Sequence, residues 1–142
     1  MVDLVAIWAG IILFGVLMYV VMDGFDLGVG LLYPFVSGSH DRDIMMDSIT
    51  PTWDGNETWL VFAGIMMFAI FPMAYAIILS ALYIPIILML FGLILRGVSL
   101  ELRPKSSEQK KKVWDKVFLL GSLMATFSQG VVLGALLEGL PV

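Results

Sequence analysis

Three long blocks without any charged residue dominate the sequence, at residues 4–22, 58–95 and 117–137. The hydrocarbon core of a bilayer is spanned by about 20 helical residues, so the first and third blocks each predict one transmembrane helix. The middle block would be about 57 Å long as a single helix, almost twice the hydrocarbon thickness. We therefore expect it to fold back on itself.

The fold-back is predicted at residues 71–75, because Pro72 can end one helix and Tyr75 is suited to the membrane surface. The sequence thus predicts an all-α polytopic membrane protein, with residues 1–142 forming one transmembrane domain. Its four helices are expected in one bundle, near residues 5–30, 51–71, 74–96 and 116–138.

Composition agrees with this class. Hydrophobic residues make up 60% of the chain and the mean hydropathy is +0.98, values typical of integral membrane proteins. The first apolar run follows Asp3 rather than a basic residue, and no small-residue cleavage site follows it, so we expect it to stay as a helix. The chain has no cysteine, which excludes thiolate-ligated iron–sulfur or zinc sites and covalently attached haem. No nucleic-acid-binding pattern occurs.

The basic residues predict an orientation. Seven of the eight lysines and arginines lie between the third and fourth predicted helices, and Arg42 lies between the first and second. With four spans these two loops, 31–50 and 97–115, share a side, which the positive-inside rule makes cytoplasmic. Both termini are then external. The basic 97–115 loop is expected to rest on anionic lipid head groups.

Two carboxylates, Asp23 and Asp26, interrupt the first apolar stretch and share one helix face. A charge near hydrocarbon costs about 2.5 to 3.5 kcal/mol on insertion scales, so such acids are usually paired or carry protons. One interpretation is that the helix ends just before them and both are solvated. Against it, residues 27–36 are apolar again, and Gly24 and Gly28 form a G-x-x-x-G pattern that would turn this face toward another helix.

A second pair of acids, Asp54 and Glu57, lies at the start of the second predicted helix. Asp-x-x-Glu is the spacing of a helix N-cap and its reciprocal partner. Alternatively, Pro51 is the first helical residue with Thr50 as its cap, and both acids lie inside the first turns, where they could pass protons. The sequence leaves both interpretations open. All four acids are candidates for a proton path.

The fourth predicted helix carries a polar stripe of Ser122, Thr126 and Gln129 and a second G-x-x-x-G pattern, formed by Gly130 and Gly134. Polar groups and small residues in transmembrane helices commonly serve contacts between helices. We predict that these residues, together with the glycines of the first helix, serve helix packing.

Two further polar groups have simpler interpretations. His40 is the only histidine and lies in a polar turn, a poor place to hold haem iron, so we predict that this chain binds neither haem nor metal. Arg96, Glu101 and Arg103 at the inner end of the third helix are expected to snorkel to the membrane surface or to pair there.

Four motifs extend the interpretation. They are Asp-Gly-Phe-Asp-Leu-Gly-Val-Gly at 23–30, Trp-Asp-Gly-Asn-Glu-Thr-Trp-Leu at 53–60, Phe-Pro-Met-Ala-Tyr-Ala at 71–76 and Arg-Gly-Val-Ser-Leu-Glu-Leu-Arg at 96–103. In order and spacing the chain resembles subunit II of the cytochrome bd-type quinol oxidases, over nearly its whole length.

The resemblance implies a terminal oxidase of the prokaryotic plasma membrane that oxidises quinol and reduces O2 to water. It implies a partner, subunit I, that holds haems b and d and the quinol site. Subunit II would be its haem-poor partner, in contact with lipid and the quinone pool. A structural quinone is a further expectation from the resemblance. This chain alone is then expected to be inactive.

The resemblance also assigns residues. The family's acid in the Trp-Asp-Gly-Asn motif, associated with a proton path toward subunit I, falls on Asp54, and the second acid of its Gly-Phe-Asp-Leu-Gly motif falls on Asp26. The family's subunit has two four-helix bundles and one additional helix, whereas four spans are predicted here. We therefore expect a fragment, or a split or truncated subunit, that matches the N-terminal bundle.

Two other classes of protein stay open at this point. A small proton or cation carrier would also use intramembrane acids, although it should place them near the middle of the bilayer. A purely structural assembly subunit would use the same glycine faces and would need no titrating acid.

Overall fold

The computed structural model describes residues 3–140. Met1 and Val142, which are predicted to be external, lie outside the described residues. The described chain is helical with no strand, which confirms the predicted all-α class. Six α-helices and one 3₁₀ turn follow one another: α1 (Leu4–Leu32), the turn (Tyr33–Phe35), α2 (Ser39–Ile49), α3 (Trp53–Ile70), α4 (Pro72–Ala81), α5 (Tyr83–Leu102) and α6 (Glu108–Glu138).

The helices form a membrane bundle. By length and composition, α1 with its following turn, α5 and α6 are each able to cross a bilayer. The second predicted span corresponds to α3, which has 18 residues and carries polar side chains in its first two turns. The third corresponds to α4 followed by α5.

Helix α1 contains both acids of its motif. It begins at Asp3, whose Oδ1 accepts hydrogen bonds from the backbone N–H groups of Val5 and Ala6 at 3.0 and 3.2 Å. It then continues for 29 residues, past Asp23 and Asp26. The interpretation in which the helix ends before these acids is therefore wrong.

The third predicted span is not one continuous helix. The chain turns at Phe71 as predicted, with Pro72 as the first residue of α4, but a break at Leu82 separates α4 from α5. Pro85 accounts for the break, because it has no N–H to donate to the carbonyl of Ala81 and its ring clashes with that carbonyl.

The prediction of a long loop over residues 97–115 is also wrong. Helix α5 continues to Leu102 and α6 begins at Glu108, so only residues 103–107 connect them. Glu108, in the first turn of α6, is favoured by the helix dipole and pairs with Lys111 at 2.8 Å, and both interactions favour a helical start of this polar segment. The segment 31–50 likewise contains α2.

Glycines bring α5 and α6 into backbone contact. A Cβ atom on Gly92 would lie 2.7 Å from the backbone nitrogen of Ala125, and one on Gly121 would lie 2.6 Å from the carbonyl oxygen of Gly92. Neither position has room for a side chain. A Cβ atom on Gly30 of α1 would likewise collide with the side chain of Ser122 on α6.

The four glycines of the two G-x-x-x-G patterns behave differently. A Cβ atom on any of Gly24, Gly28, Gly130 or Gly134 would meet no described atom within 4 Å. These patterns therefore do not join two helices of the described chain. Their helix-packing role applies only to a partner outside it and stays a prediction.

Candidate functional site

The site is centred on Arg96 of α5, whose side chain is completely buried. Its Nη2 atom lies 2.6 Å from Oδ1 of Asp23 on α1 and 2.8 Å from Oε2 of Glu57 on α3. One guanidinium nitrogen thus joins carboxylates from two other helices. Of the two expectations for Arg96, pairing is confirmed, but it occurs inside the bundle rather than at the membrane surface, and the alternative of snorkelling is wrong.

The second acid of α1 has a different partner. Asp26 is completely buried, and its Oδ2 accepts a hydrogen bond of 2.9 Å from Nδ2 of Asn56 on α3. The same amide group donates to the carbonyl oxygen of Met22 at 3.4 Å. Both acids of α1 thus face the inside of the bundle rather than solvent. We call Asp23, Asp26, Asn56, Glu57 and Arg96 the acid–arginine cluster.

The cluster contains more acids than bases. Three carboxylates meet one guanidinium, so its formal charge is −2 when every group is ionised. Oδ2 of Asp23 and Oδ1 of Asp26 are buried and accept no hydrogen bond from the described residues. Nε and Nη1 of Arg96 are buried and donate none there. Chemically, the cluster is a set of carboxylates able to accept protons, of which two are held by Arg96 and the third, Asp26, by Asn56.

Asp54 lies outside the cluster but close to it along α3. This helix begins at Trp53, with Thr52 as its N-cap and without a side-chain capping hydrogen bond. The interpretation of Asp54 as a capping residue is therefore wrong. The alternative placed the first helical residue at Pro51, whereas α3 begins two residues later, at Trp53. Asp54 is exposed and lies on the same helix face as Glu57, three residues on.

The exposure of the acids therefore decreases from the surface of α3 into the bundle. Asp54 is exposed, the side chain of Glu57 is 26% exposed, and that of Asp23 is 0% exposed. One turn before Asp23 on α1, the hydroxyl of buried Tyr19 accepts a hydrogen bond of 2.6 Å from Nε2 of Gln129 on α6. Polar groups thus continue from the cluster to the α1–α6 contact.

The polar stripe of α6 takes part in packing within the chain. Gln129 joins α6 to α1 through Tyr19, and Ser122 is fully buried against α1, with its hydroxyl donating to the carbonyl of Phe118. The hydroxyl of Thr126 is buried and has no hydrogen-bond partner among the described residues.

Three members of this arrangement were not assigned to it from the sequence: Asn56, Tyr19 and Arg96, which was expected to snorkel or to pair at the membrane surface. A signal for Arg96 was present, because it is the first charge after the long uncharged block and carboxylates inside a bundle require a cation. Nothing in the sequence indicates that Tyr19 or Asn56 faces the acids.

A second set of ion pairs lies where α2, α5 and α6 meet. Oδ1 of Asp115 accepts hydrogen bonds from the hydroxyl of Tyr33 at 2.8 Å and from Nε of Arg103 at 2.6 Å, and its Oδ2 accepts one from Arg42 at 3.1 Å. Arg103 also donates to Asp43 at 2.6 Å, and this hydrogen bond lowers the pKa of Asp43. These pairs tie α2 to the ends of α5 and α6.

His40 is exposed at the start of α2, away from both clusters. Across residues 3–140, no three histidine, cysteine or acidic side chains are grouped in a way that could hold a metal ion.

Comparison with known proteins supplies the family. The sequence profile of "Cytochrome bd terminal oxidase subunit II" matches residues 4–142. The chain is 41% identical over 134 residues to Cytochrome bd-I ubiquinol oxidase subunit 2 of Escherichia coli (strain K12), an alignment covering 93% of this chain and 35% of that protein. It is 41% identical over 123 residues to Cytochrome bd ubiquinol oxidase subunit 2 of Bacillus subtilis (strain 168), covering 85% and 36%.

A third relative is the Probable cytochrome oxidase subunit 2 of Haemophilus influenzae, which is 37% identical over 137 residues, covering 95% of this chain and 36% of that protein. The chain thus spans about a third of the length of the curated relatives it matches. The profile match extends over almost all of the sequence and agrees with the four motifs. The chain belongs to the cytochrome bd terminal oxidase subunit II family.

Proposed function

We propose that this chain supplies the N-terminal bundle of subunit II in a cytochrome bd-type terminal oxidase, which oxidises quinol and reduces O2 to water. Family membership supports the proposal, and two of the relatives are named as ubiquinol oxidase subunits. The haems b and d would lie on the partner, subunit I, and this chain alone would be inactive. A structural quinone is a further part of the family-based proposal.

Within that complex, the acid–arginine cluster would carry protons. The observation that supports this most strongly is that side-chain exposure decreases from Asp54 through Glu57 to Asp23, so these acids extend from the surface of α3 into the bundle. A carboxylate can accept and release a proton, and each step in such a relay requires a neighbour at hydrogen-bonding distance or one water away. Arg96 holds the two inner acids at the same nitrogen atom.

The charge of the cluster supports a resident proton. Removing an ion from water costs several kcal/mol even after relaxation, and the described residues of the cluster supply one cation for three acids. Neutralising one or more of the acids by protonation removes that cost. Oδ1 of Asp26 is a position where such a proton could reside and be passed on, because it is buried and accepts no hydrogen bond from the described residues.

The proposed orientation determines from which side of the membrane the relay would take up protons. All basic residues lie in or next to the segments 31–50 and 97–115, so these segments would face the cytoplasm and both termini the outside of the prokaryotic plasma membrane. Asp54 lies four residues beyond the first of these segments and would therefore be reached from the cytoplasm. Protons consumed in reducing O2 to water are taken from that side.

The two alternatives are less well supported. A proton or cation carrier should place its acids near the middle of the membrane, whereas Asp23 and Asp26 lie in the last third of α1. A purely structural subunit is favoured by one observation: Arg96 ties α1, α3 and α5 together whether or not any acid titrates.

Replacing Asp54 by Asn separates proton transfer from structure. Asp54 is exposed and its side chain makes no hydrogen bond to the described residues, so the amide should leave the bundle intact. In the assembled oxidase we expect wild-type haem content with quinol oxidase turnover lowered at least about tenfold, a smaller effect than the roughly 10²- to 10⁴-fold contributed by an acid or base acting in the transition state itself. Asp47→Asn is the matched control, because Asp47 is an exposed acid of α2 outside the cluster.

Wild-type turnover of Asp54→Asn would contradict the relay and leave the structural role. Equal losses in Asp54→Asn and Asp47→Asn would point to surface charge instead.

A further inference from the structure

A pocket of about 360 Å³ opens beside the end of α1, between α2 and the start of α6. Three basic side chains contribute to its wall, Arg42 from α2 and Lys112 and Lys116 from α6, and the apolar side chains of Pro34 and Leu119 line another part. Its volume lies within the range of about 300 to 1,000 Å³ typical of small-molecule sites.

The positive charge of this pocket is not neutralised by its own acid. Asp115 also lines the wall, but it already accepts hydrogen bonds from Tyr33, Arg42 and Arg103. Lys112 and Lys116 are exposed, lie one helical turn apart and form no ion pair with the described residues. The pocket therefore favours an anion.

A second pocket, of about 250 Å³, shares Arg42, Lys112 and Asp115 with the first and adds Arg103 and Lys111. Glu108 also lines this second pocket, and both added basic residues are paired with acids, Arg103 with Asp115 and Lys111 with Glu108. The uncompensated positive charge is therefore centred on Lys112 and Lys116. A head group bound at Lys112 and Lys116 would have further hydrogen-bond donors within reach on this side.

The position of the pocket along α6 indicates what kind of anion fits. Lys116 is the last charged residue before the uncharged segment 117–137, and Leu119 lies in the next turn. The pocket is therefore cationic toward the aqueous side and apolar toward the hydrocarbon. A free phosphate ion would use only the first part, whereas a phosphodiester that carries acyl chains would use both.

We propose that this pocket binds an anionic phospholipid, with the phosphodiester between Lys112, Lys116 and Arg42 and the glycerol and acyl chains along Pro34 and Leu119. The site would attach the α1–α2 connection and α6 to the membrane surface. The inference depends on the membrane location of the chain and not on the proposed oxidase activity, so the two can fail separately.

Native mass spectrometry of the purified, assembled complex tests the proposal with three probes: phosphatidylglycerol, phosphatidylcholine and inorganic phosphate. The test variant is Lys112→Gln with Lys116→Gln. The matched control is Lys105→Gln with Lys110→Gln, which removes the same charge from exposed lysines outside both pockets. A third variant, Lys112→Arg with Lys116→Arg, keeps the cations.

We expect wild type to retain phosphatidylglycerol in preference to phosphatidylcholine. The test variant should bind it about 30-fold more weakly, since each cation near an anionic lipid contributes about a factor of five. The control and the arginine variant should stay close to wild type.

Equal weakening in the test and control variants would overturn the proposal, because it would show diffuse attraction to the basic segment. Inorganic phosphate that displaces the lipid completely would assign the site to a free anion instead. Equal binding of the two lipids, or no lipid retained by wild type, would also reject it.

Discussion

Replacing Arg96 by Met perturbs the acid–arginine cluster at its centre. The substitution puts a long apolar side chain in place but removes the one cation that the described residues pair with Asp23 and Glu57, whose oxygens lie 2.6 and 2.8 Å from Nη2 of Arg96. Removing one partner of a buried ion pair costs about 3 to 5 kcal/mol, because the remaining charge stays buried without compensation. Since Asp23 is completely buried, we expect a free energy of unfolding lowered by this amount.

The assay is denaturant-induced unfolding of the assembled complex in detergent, with haem content measured in parallel. Adding Asp23→Asn to Arg96→Met should restore part of the lost stability, because the second change removes the charge left unpaired. Lys105→Met serves as a control, since Lys105 is exposed and its pair with Glu101 is worth little. Wild-type stability of Arg96→Met, or a double variant no more stable than the single one, would refute the reasoning.

Two further predictions concern packing and pH. Gly92→Ala should lower the free energy of unfolding by about 1 to 3 kcal/mol, because its Cβ would lie 2.7 Å from the backbone nitrogen of Ala125. Gly24→Ala is the control, since the space around Gly24 is open and no loss is expected. Equal thermal stability of the two variants would contradict the α5–α6 contact. Asp43 has a pKa below its ordinary 3.8 because Arg103 donates to it, so its stabilisation is present above that value and is lost as the pH falls through the lowered pKa. In Asp43→Asn, the free energy of unfolding should therefore fall less steeply as the pH is lowered. The difference from wild type should be at most about 1 kcal/mol, because the side chain is partly exposed. An unchanged acid-unfolding curve would contradict this pairing.

Much of the fold could be predicted from the sequence because lipid allows few solutions. A backbone in hydrocarbon must satisfy its own hydrogen bonds, so a long uncharged block indicates a helix. The turn at Phe71 followed from Pro72 and from the excess length of the block. The break at Leu82 did not follow, because a proline in an apolar run is compatible with a kinked helix as well as with two separate ones.

The error over residues 97–115 has a similar physical origin. Hydropathy indicates where a helix leaves the membrane and not where it ends. Lys111 and its neighbours are polar, yet they form the first turns of α6 outside the apolar segment.

The acids of the site could be found from the sequence and their partner could not. Asp23 and Asp26 stand out because a charge in an apolar run is costly. Arg96 lies on a different helix, and no local pattern encodes which helices touch. For the same reason the G-x-x-x-G patterns predicted close contacts at Gly24 and Gly28, whereas α5 and α6 meet at single glycines that follow no pattern.

We propose that buried carboxylates of this chain carry protons for O2 reduction. The most direct measurement is proton uptake, followed with a pH indicator, when the fully reduced complex is mixed with O2. The test variant is Asp26→Asn, which can keep a hydrogen bond to Asn56 without a titrating group. We predict uptake slowed at least about tenfold with wild-type haem content, and wild-type uptake for the control Asp47→Asn. Uptake by Asp26→Asn at the wild-type rate, with full haem content, would contradict the account.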